Sequence, residues 1–238
     1  MKSIPLLAPL YEPADLKFEE AKLAVCVFEL SSDFDIKKVE PNLENGSSKT
    51  GIVVFADYPS CQIGPYKEVL ILISANLHGK ESYFCPFIFV DLDAAMAFGR
   101  EVWGFPKKMA EISLEFENNE YKGNVSGKLI RRGETLIEMN ASCNDTVDFD
   151  SVRSMLENTP ILNHKVVPSV EANKSDLDLI TSVDIEYDIH SVFTGTGTVR
   201  TSGEITKVLP ETNSSISFSA TCNMLLPLGS NVKNLLDH

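Results

Sequence analysis

Lys107 and Lys108 are the residues of this sequence most suited to chemistry. They follow residues 99–106, in which a glycine and a proline predict the end of a helix and the start of an extended chain. A lysine amine is a nucleophile only when it is neutral, and an ordinary lysine pKa of about 10.4 leaves almost none neutral at pH 7. An apolar pocket or a second cation disfavours the charged form. An apolar pocket could be formed by Trp103 and Phe105, and the second cation could be Lys108. Lys107 is therefore a candidate nucleophile.

The backbone decides which of the two lysines faces the protein interior. Successive side chains of an extended chain point to opposite faces. Only one lysine can therefore face inward, and its burial must then do most of the work of keeping its amine neutral. The alternative, for the pair taken alone, is two solvated lysines in a surface loop.

Glu68 is the second candidate for chemistry. It directly precedes the apolar run of residues 69–73, which predicts a buried strand. A carboxylate at the start of such a strand can orient a substrate or transfer a proton to it. The alternative is a strand that begins on the solvent-facing surface.

Composition narrows the class of protein. The chain has 238 residues and a formal net charge of −13, so it repels phosphate backbones and anionic membranes, and we expect neither nucleic acid nor membrane as a partner. Its five cysteines and four histidines show neither C-x-x-C spacing nor helical ligand spacing, so we expect no metal site and reduced thiols in a cytoplasmic protein. No run of 18 apolar residues predicts a membrane span.

The pattern along the chain predicts a mainly β fold with a few short helices. Stretches rich in β-branched and aromatic residues alternate with polar turns, which is typical of an antiparallel β-barrel or sandwich. We expect a single domain over residues 1–238. The predicted strands cover residues 23–30, 51–57, 68–75, 83–90, 110–117, 121–130, 135–141, 182–187, 197–201 and 215–226. Hairpin turns are predicted at residues 117–120 and 131–134, and helices at residues 33–39, 91–103 and 148–158.

Residues 99–108 resemble the active-site segment of acetoacetate decarboxylases. In that family Gly-Arg-Glu is followed by a short variable stretch that ends in an aromatic residue, and then by Pro-Lys-Lys. Tyr66-x-Glu68 is similar to the second active-site segment of the family, and its distance to Lys107 matches without a gap. The resemblance continues more weakly through residues 193–195 and 224–227, so that it covers most of the chain.

The resemblance implies roles for these residues. Lys107 is expected to form a Schiff base with the substrate, Lys108 to be its electrostatic neighbour, and Glu68 to be a carboxylate of the pocket. A lysine activated by desolvation or by a neighbouring cation is the accepted description of acetoacetate decarboxylases. The resemblance further implies a β-keto acid substrate, no cofactor and a homo-oligomer.

Two positions depart from the clostridial-type members of the family. Those proteins carry an arginine, thought to help hold the substrate carboxylate, where this chain has Ala21, and the nearest cation is Lys22. They also carry a second pocket glutamate where this chain has Val53. We therefore expect Lys22 and Val53, with Trp103 and Phe105, to be the substrate-binding residues. A lysine supplies charge but not the two-pronged carboxylate grip of a guanidinium.

The expected function is cofactor-independent decarboxylation of a short β-keto acid through a Schiff base, with acetoacetate giving acetone and CO2 as the family default. The nearest alternative is another Schiff-base reaction, an aldol condensation with dehydration. A rival from another class is a catalytically silent barrel that binds a small molecule.

Overall fold

A computed structural model describes residues 3, 5–117, 121–148, 159–209, 212–213 and 216–236. Sixteen strands in this part of the chain join in one sheet, which confirms the mainly β fold. They are β1 (Leu16–Glu29), β2 (Glu44–Asn45), β3 (Thr50–Tyr58), β4 (Ser60–Cys61), β5 (Tyr66–Leu77), β6 (Lys80–Val90), β7 (Lys107–Met109), β8 (Glu111–Phe116), β9 (Gly123–Arg131), β10 (Glu134–Thr146), β11 (Ile161–Pro168), β12 (Ser175–Val183), β13 (Glu186–Thr201), β14 (Thr212–Asn213), β15 (Ile216–Leu226) and β16 (Ser230–Asn234).

The strand order places the two candidate segments side by side. Along the sheet it runs β16-β12-β11-β6-β5-β3-β1-β15-β13-β10-β9-β8, and the short strand β7 pairs with β6. The sheet is predominantly antiparallel, but β7 and β11 both run parallel to β6. Because β6 separates β5 from β7, the start of β5 and the start of β7 meet across one strand.

The central strands are buried on both faces. Leu70 and Leu72 of β5 pack into one core, whereas Val69 and Ile71 pack into a second core on the opposite face. This two-sided burial explains why β5 is an almost unbroken apolar run rather than an alternating one. The first core encloses the cavity described below.

The second core is closed by the hairpin of β9 and β10. Gly127 on β9 lets this hairpin approach the sheet, because a Cβ atom there would lie 2.7 Å from a ring carbon of Phe55. The turn between the two strands has positive φ at Arg132 (54°) and Gly133 (80°), which confirms the hairpin predicted at residues 131–134.

The helical segments are short. Helix α1 (Asp93–Phe98) continues into a π-helical turn, Gly99–Trp103, so the helix predicted at residues 91–103 is confirmed. The helix predicted at residues 33–39 is a single 3₁₀ turn over Ile36–Lys38. Another 3₁₀ turn spans Gly203–Lys207. The helix predicted at residues 148–158 and the turn predicted at residues 117–120 fall largely outside the described residues.

The late strands differ most from expectation. The strand predicted at residues 182–187 is divided, since β12 ends at Val183 and β13 begins at Glu186. The prediction also missed β11, which pairs with β6 and helps to enclose the cavity. No helix in the described ranges is long and apolar enough to cross a membrane.

Candidate active site

The backbone around Gly104 brings Lys107 to the sheet. Gly104 adopts the left-handed conformation that ends the helical segment, with φ of 76°. The chain then turns back, because the Phe105 N–H donates to the Gly99 carbonyl at 3.0 Å. Lys107 begins β7 opposite Ile88 of β6, and the Arg100 guanidinium donates to the Lys107 carbonyl at 3.3 Å.

Gly99 leaves the space that the Lys107 side chain occupies. A Cβ atom at position 99 would lie 2.5 Å from Cδ and 2.6 Å from Cε of Lys107. Such distances are far below the contact distance of two carbon atoms. The glycine that opens the 99–108 segment therefore lets the lysine stem cross the π-helical turn.

Lys107 and Glu68 form an ion pair inside the protein. Lys107 Nζ lies 2.7 Å from Glu68 Oε2, and the two side chains are only 4% and 9% exposed. The other carboxylate oxygen, Oε1, accepts a hydrogen bond from the Tyr58 hydroxyl at 3.3 Å. The structure thus joins the two residues that the sequence singled out, and it adds a tyrosine to them.

Tyr58 and Tyr66 lie beside the Lys107–Glu68 pair, and the hydroxyl groups of both are protonated. Burial, and then the negative charge of Glu68, raise the pKa of Tyr58 and of Tyr66 well above the usual range. Both tyrosines therefore remain hydrogen-bond donors at neutral pH. The ring centroids of Tyr66 and Phe105 lie 5.6 and 5.7 Å from Lys107 Nζ, so two aromatic rings flank the nitrogen.

Lys107 and Glu68 face a cavity of about 130 Å³. Its walls come from β1, β3, β5, β6, β7, β11, β13 and β15, and most of the lining residues have aliphatic or aromatic side chains. Among the described residues that line it, the only charged side chains are those of Lys107 and Glu68. Such a cavity can admit a small, mainly apolar molecule to the amine.

Lys108 faces away from this cavity. Its Nζ lies 2.6 Å from Glu204 Oε1 in a partly exposed ion pair, 5.5 Å from the Phe87 ring and 5.9 Å from the Phe89 ring. The hydrogen bond from Lys108 lowers the pKa of Glu204. The two lysines therefore occupy different environments, as the alternation of an extended chain requires.

The other predicted binding residues are distributed differently. Phe105 lines the cavity, whereas Lys22, Val53 and Trp103 are not among the lining residues in the described part of the chain. Val53 belongs to the second core. Trp103 is buried behind the site, where its indole N–H donates to the Pro227 carbonyl at 2.7 Å.

The position of Lys22 follows from a bulge in β1. Phe18 and Leu23 are five positions apart, so in a regular strand their side chains would lie on opposite faces. Both face the cavity because the strand register shifts between Phe18 and Ala21. Glu20, inside the bulge, has a positive φ of 55°. With Leu23 facing inward, Lys22 belongs to the other face of the sheet, beside Asp57 on β3.

Several residues of the site carried no clear signal in the sequence. Tyr58 could have been noticed only through its pairing with Tyr66 on β5, which is a contact between strands. Glu101 accepts a hydrogen bond from the hydroxyl of Tyr11, which stacks on Phe98 at 4.1 Å between ring centroids. Among the described residues, no group of three or more histidine, cysteine, aspartate or glutamate side chains could hold a metal ion.

The chain is similar to known acetoacetate decarboxylases in both sequence and fold. The chain is 26% identical over 180 residues to acetoacetate decarboxylase 1 of Bradyrhizobium diazoefficiens, covering 75% of this chain and 70% of that protein. The fold matches the crystal structure of acetoacetate decarboxylase from Legionella pneumophila with a TM-score of 0.83 at 20% identity, over 98% of this chain and 95% of that one.

A further structural match is the enduracididine biosynthesis enzyme MppR, complexed with the condensation product of pyruvate and imidazole 4-carboxaldehyde. Its TM-score is 0.82 at 17% identity, over 98% of this chain and 96% of that one. At this identity the likeness shows a shared fold. The family model described as acetoacetate decarboxylase (ADC) matches residues 8–211, and with the Lys107 and Glu68 segments both in place, this chain belongs to the acetoacetate decarboxylase family.

Proposed function

We propose that this protein is a cofactor-independent decarboxylase of a β-keto acid that works through a Schiff base on Lys107. The observation that carries the proposal is the buried contact of 2.7 Å between Lys107 Nζ and Glu68 Oε2 at the wall of an apolar cavity. Family membership supports a lyase of this kind.

Activation of the amine requires a proton to move within the ion pair. Lys107 attacks only when the proton that the pair shares resides on Glu68. Tyr58 donates to the other oxygen of Glu68 and thereby fixes the orientation of the carboxyl group.

The bond changes then balance with water and one solvent proton as the only further reactants. The Lys107 nitrogen attacks the ketone carbon, and the proton on Glu68 passes to the departing hydroxyl, which leaves as water to give a protonated imine. The bond between the α-carbon and the carboxylate breaks, CO2 departs, and its electron pair moves toward the imine nitrogen to form an enamine. Glu68 takes up a proton from solvent and, as the nearest acid, transfers it to the enamine carbon; addition of water to the resulting imine then releases the ketone and restores Lys107.

Trapping the intermediate tests this proposal. Borohydride added with acetoacetate should reduce the imine and leave one stable adduct, on Lys107, which peptide mass mapping locates. Lys107→Arg should abolish both adduct and turnover, since arginine stays protonated and cannot act as an amine nucleophile. Lys128→Arg is the matched control, because Lys128 forms a surface ion pair with Glu138. Labelling spread over surface lysines would refute the proposal.

The second candidate is an aldol condensation with dehydration. It is favoured by the similarity of the fold to that of MppR, whose structure holds a condensation product of pyruvate and an aldehyde. Both reactions use an imine on Lys107, so borohydride trapping does not separate them. Product analysis does: release of CO2 from a β-keto acid supports decarboxylation, and a condensed, dehydrated product from a keto acid and an aldehyde supports the alternative.

A catalytically silent barrel would form no adduct at all. The buried pair argues against this reading, because a buried ion pair contributes little to stability and a passive binding protein has no need of one. The cytoplasmic location and the homo-oligomer remain predictions.

A further inference from the structure

The π-helical turn before Lys107 ends with carbonyl groups that the helix itself cannot satisfy. The last carbonyls of any helix have no N–H donor within it. In this turn the Gly99 carbonyl accepts from backbone N–H groups that follow it, including that of Phe105. The carbonyls of Val102 and Trp103 accept instead from side chains elsewhere in the fold.

Both of these donors come from the hairpin of β11 and β12. Thr181 Oγ1 donates to the Trp103 carbonyl at 2.6 Å, and its other acceptor, the Asn163 carbonyl, is more distant at 3.4 Å. Lys165 Nζ donates to the Val102 carbonyl at 3.1 Å. A lysine at the end of a helix also interacts favourably with the helix dipole. The hairpin therefore caps the turn.

The turn packs closely on the hairpin. A Cβ atom at Gly104 would lie 2.6 Å from Cβ and 3.0 Å from Cα of Lys165. Burial lowers the pKa of Lys165, although the charge of Glu101 opposes this effect. Thr181 is only 3% exposed. Loss of its hydroxyl would leave the shielded Trp103 carbonyl without a donor, and the turn would have to move to satisfy it.

A movement of the turn reaches Lys107 through a short connection. Three residues, 104–106, separate Trp103 from Lys107, and the ring of Pro106 fixes one of their φ angles. The Arg100 guanidinium, in the same turn, donates to the Lys107 carbonyl. A change in the turn is therefore passed to Lys107, and a displacement of about 1 Å at a reacting group can reduce turnover ~100-fold.

We propose, on the basis of the proposed function, that Thr181 and Lys165 are positioning residues for Lys107. By capping the turn they hold the reactive lysine against Glu68 at the wall of the cavity. Neither is among the described residues that line the cavity, so both act through the turn and not on the substrate. Loss of either donor should slow the attack by Lys107 in a protein that is still folded.

Two substitutions at position 181 separate the hydrogen bond from packing. Thr181→Val keeps the shape of the side chain but removes the hydroxyl, whereas Thr181→Ser keeps the hydroxyl and removes a methyl group. With acetoacetate and borohydride, the rate of adduct formation at Lys107 should fall at least about tenfold in Thr181→Val, as should kcat, and both should stay within about threefold of wild type in Thr181→Ser. A wild-type rate in folded Thr181→Val, or equal losses in the two variants, would overturn the inference.

Thr201→Val is the matched control. The Thr201 hydroxyl also donates to a main-chain carbonyl at 2.6 Å, that of Leu209, away from the π-helical turn. Its loss should leave the rate of adduct formation and kcat unchanged, whatever its effect on Tm. If Thr201→Val loses as much activity as Thr181→Val, the loss reflects general stability and the positioning role is refuted.

Lys165→Met is an independent variant should Thr181→Val fail to fold. Methionine keeps an unbranched side chain but has no donor, so a loss of at least about tenfold is again expected. Lys174→Met is its control, because Lys174 forms an exposed ion pair with Glu171 in the loop of the same hairpin. An unchanged rate in folded Lys165→Met would count against the inference in the same way.

The wild-type protein separates this inference from the proposed function. If wild type forms the Lys107 adduct and releases CO2 while the variants keep its rates, the Schiff-base decarboxylase stands and only the positioning role is refuted. If wild type gives neither adduct nor CO2, the proposed function is refuted, and the inference with it.

Discussion

Lys107 and Lys108 are adjacent in sequence but project from opposite faces of β7, into two different ion pairs. Lys107 is buried against Glu68 at 2.7 Å, and Lys108 is partly exposed against Glu204 at 2.6 Å. The positive charge of Lys108 is balanced by its own carboxylate and screened by solvent. Burial and Glu68, rather than Lys108, therefore define the surroundings of the reactive nitrogen.

Replacement of Lys108 should consequently have a small effect. We expect Lys108→Met to remain active, with the acidic limb of the kcat/KM profile displaced by less than about one pH unit, the scale on which closely coupled charges shift one another. Profiles from pH 4 to 9 check this expectation. Glu204→Gln is the companion variant, since it leaves Lys108 without its carboxylate. A displacement well above one unit in Lys108→Met would make the neighbouring cation the dominant cause of activation.

Replacement of Glu68 should have a large effect on turnover. Glu68→Gln keeps the size of the side chain but removes the group that accepts the proton from Lys107. General acid–base groups contribute roughly 10² to 10⁴ in rate, so we expect kcat to fall by at least about 100-fold. Stopped-flow measurement of CO2 release checks the change.

The control for Glu68→Gln is Glu204→Gln, which breaks the partly exposed ion pair of Lys108. Its kcat should stay within a fewfold of wild type. Because loss of one partner of a buried ion pair destabilises a protein, thermal melting must show that Glu68→Gln is folded at the assay temperature. A folded Glu68→Gln protein with nearly normal kcat would remove Glu68 from the mechanism.

The sequence contained the local features of this site but not its assembly. The end of the helix at Gly104 and the alternation after Pro106 follow from backbone preferences that act over a few residues. The contact between Lys107 and Glu68 depends instead on the register of β5 with β6 and of β6 with β7. Such pairings are tertiary interactions, and only the resemblance to a family anticipated that these residues meet.

The same distinction explains the strands that were missed. In β11 three polar residues separate two short apolar pairs, and in the first half of β13 exposed polar residues alternate with apolar ones, so neither sequence contains a long apolar run. They are strands because β6 and β15 supply hydrogen-bonding partners. Lys22 shows how one local irregularity matters, since the bulge before it decides which face of β1 each later side chain occupies.

Gly99 provides a test of how tightly the Lys107 side chain is positioned. Gly99→Ala places a methyl group in the path of the lysine stem, and a displacement of about 1 Å at a reacting group can reduce turnover ~100-fold. Alanine favours a helical position by about 1 kcal/mol over glycine, which offsets part of the strain. We expect kcat/KM to fall at least tenfold while Tm changes by only a few degrees.

Gly133→Ala is the control for Gly99→Ala, because it should affect stability and not activity. A Cβ atom there meets nothing within 4 Å, but the residue has φ of 80°, so Gly133→Ala strains the hairpin without touching the site. It should lower Tm and leave kcat unchanged. If Gly99→Ala keeps wild-type kcat/KM, the close approach of Gly99 to Lys107 has no catalytic consequence.

His164 links two parts of the fold and is not among the described residues that line the cavity. Its Nδ1 lies 2.8 Å from Glu40 Oε2 and its Nε2 lies 2.7 Å from Asp178 Oδ1. The hydrogen bond with Glu40 is the largest cause that raises the pKa of His164, to about 9, against the opposing effect of burial and with further help from Asp178. At neutral pH the imidazole is therefore charged and bonded on both sides.

This raised pKa predicts that the protein loses stability in alkali. A histidine whose pKa is higher when folded stabilises the protein fully below its unfolded value near 6.5, and that contribution is lost as the pH rises through about 9. We expect the urea midpoint of unfolding to decline between pH 7 and 10. In His164→Asn this decline should be smaller, although the variant is less stable at pH 7. His78→Asn, at an exposed turn with φ of 54°, should keep the wild-type slope, since asparagine tolerates positive φ. An equal slope in wild type and His164→Asn would show that His164 is not the titrating group.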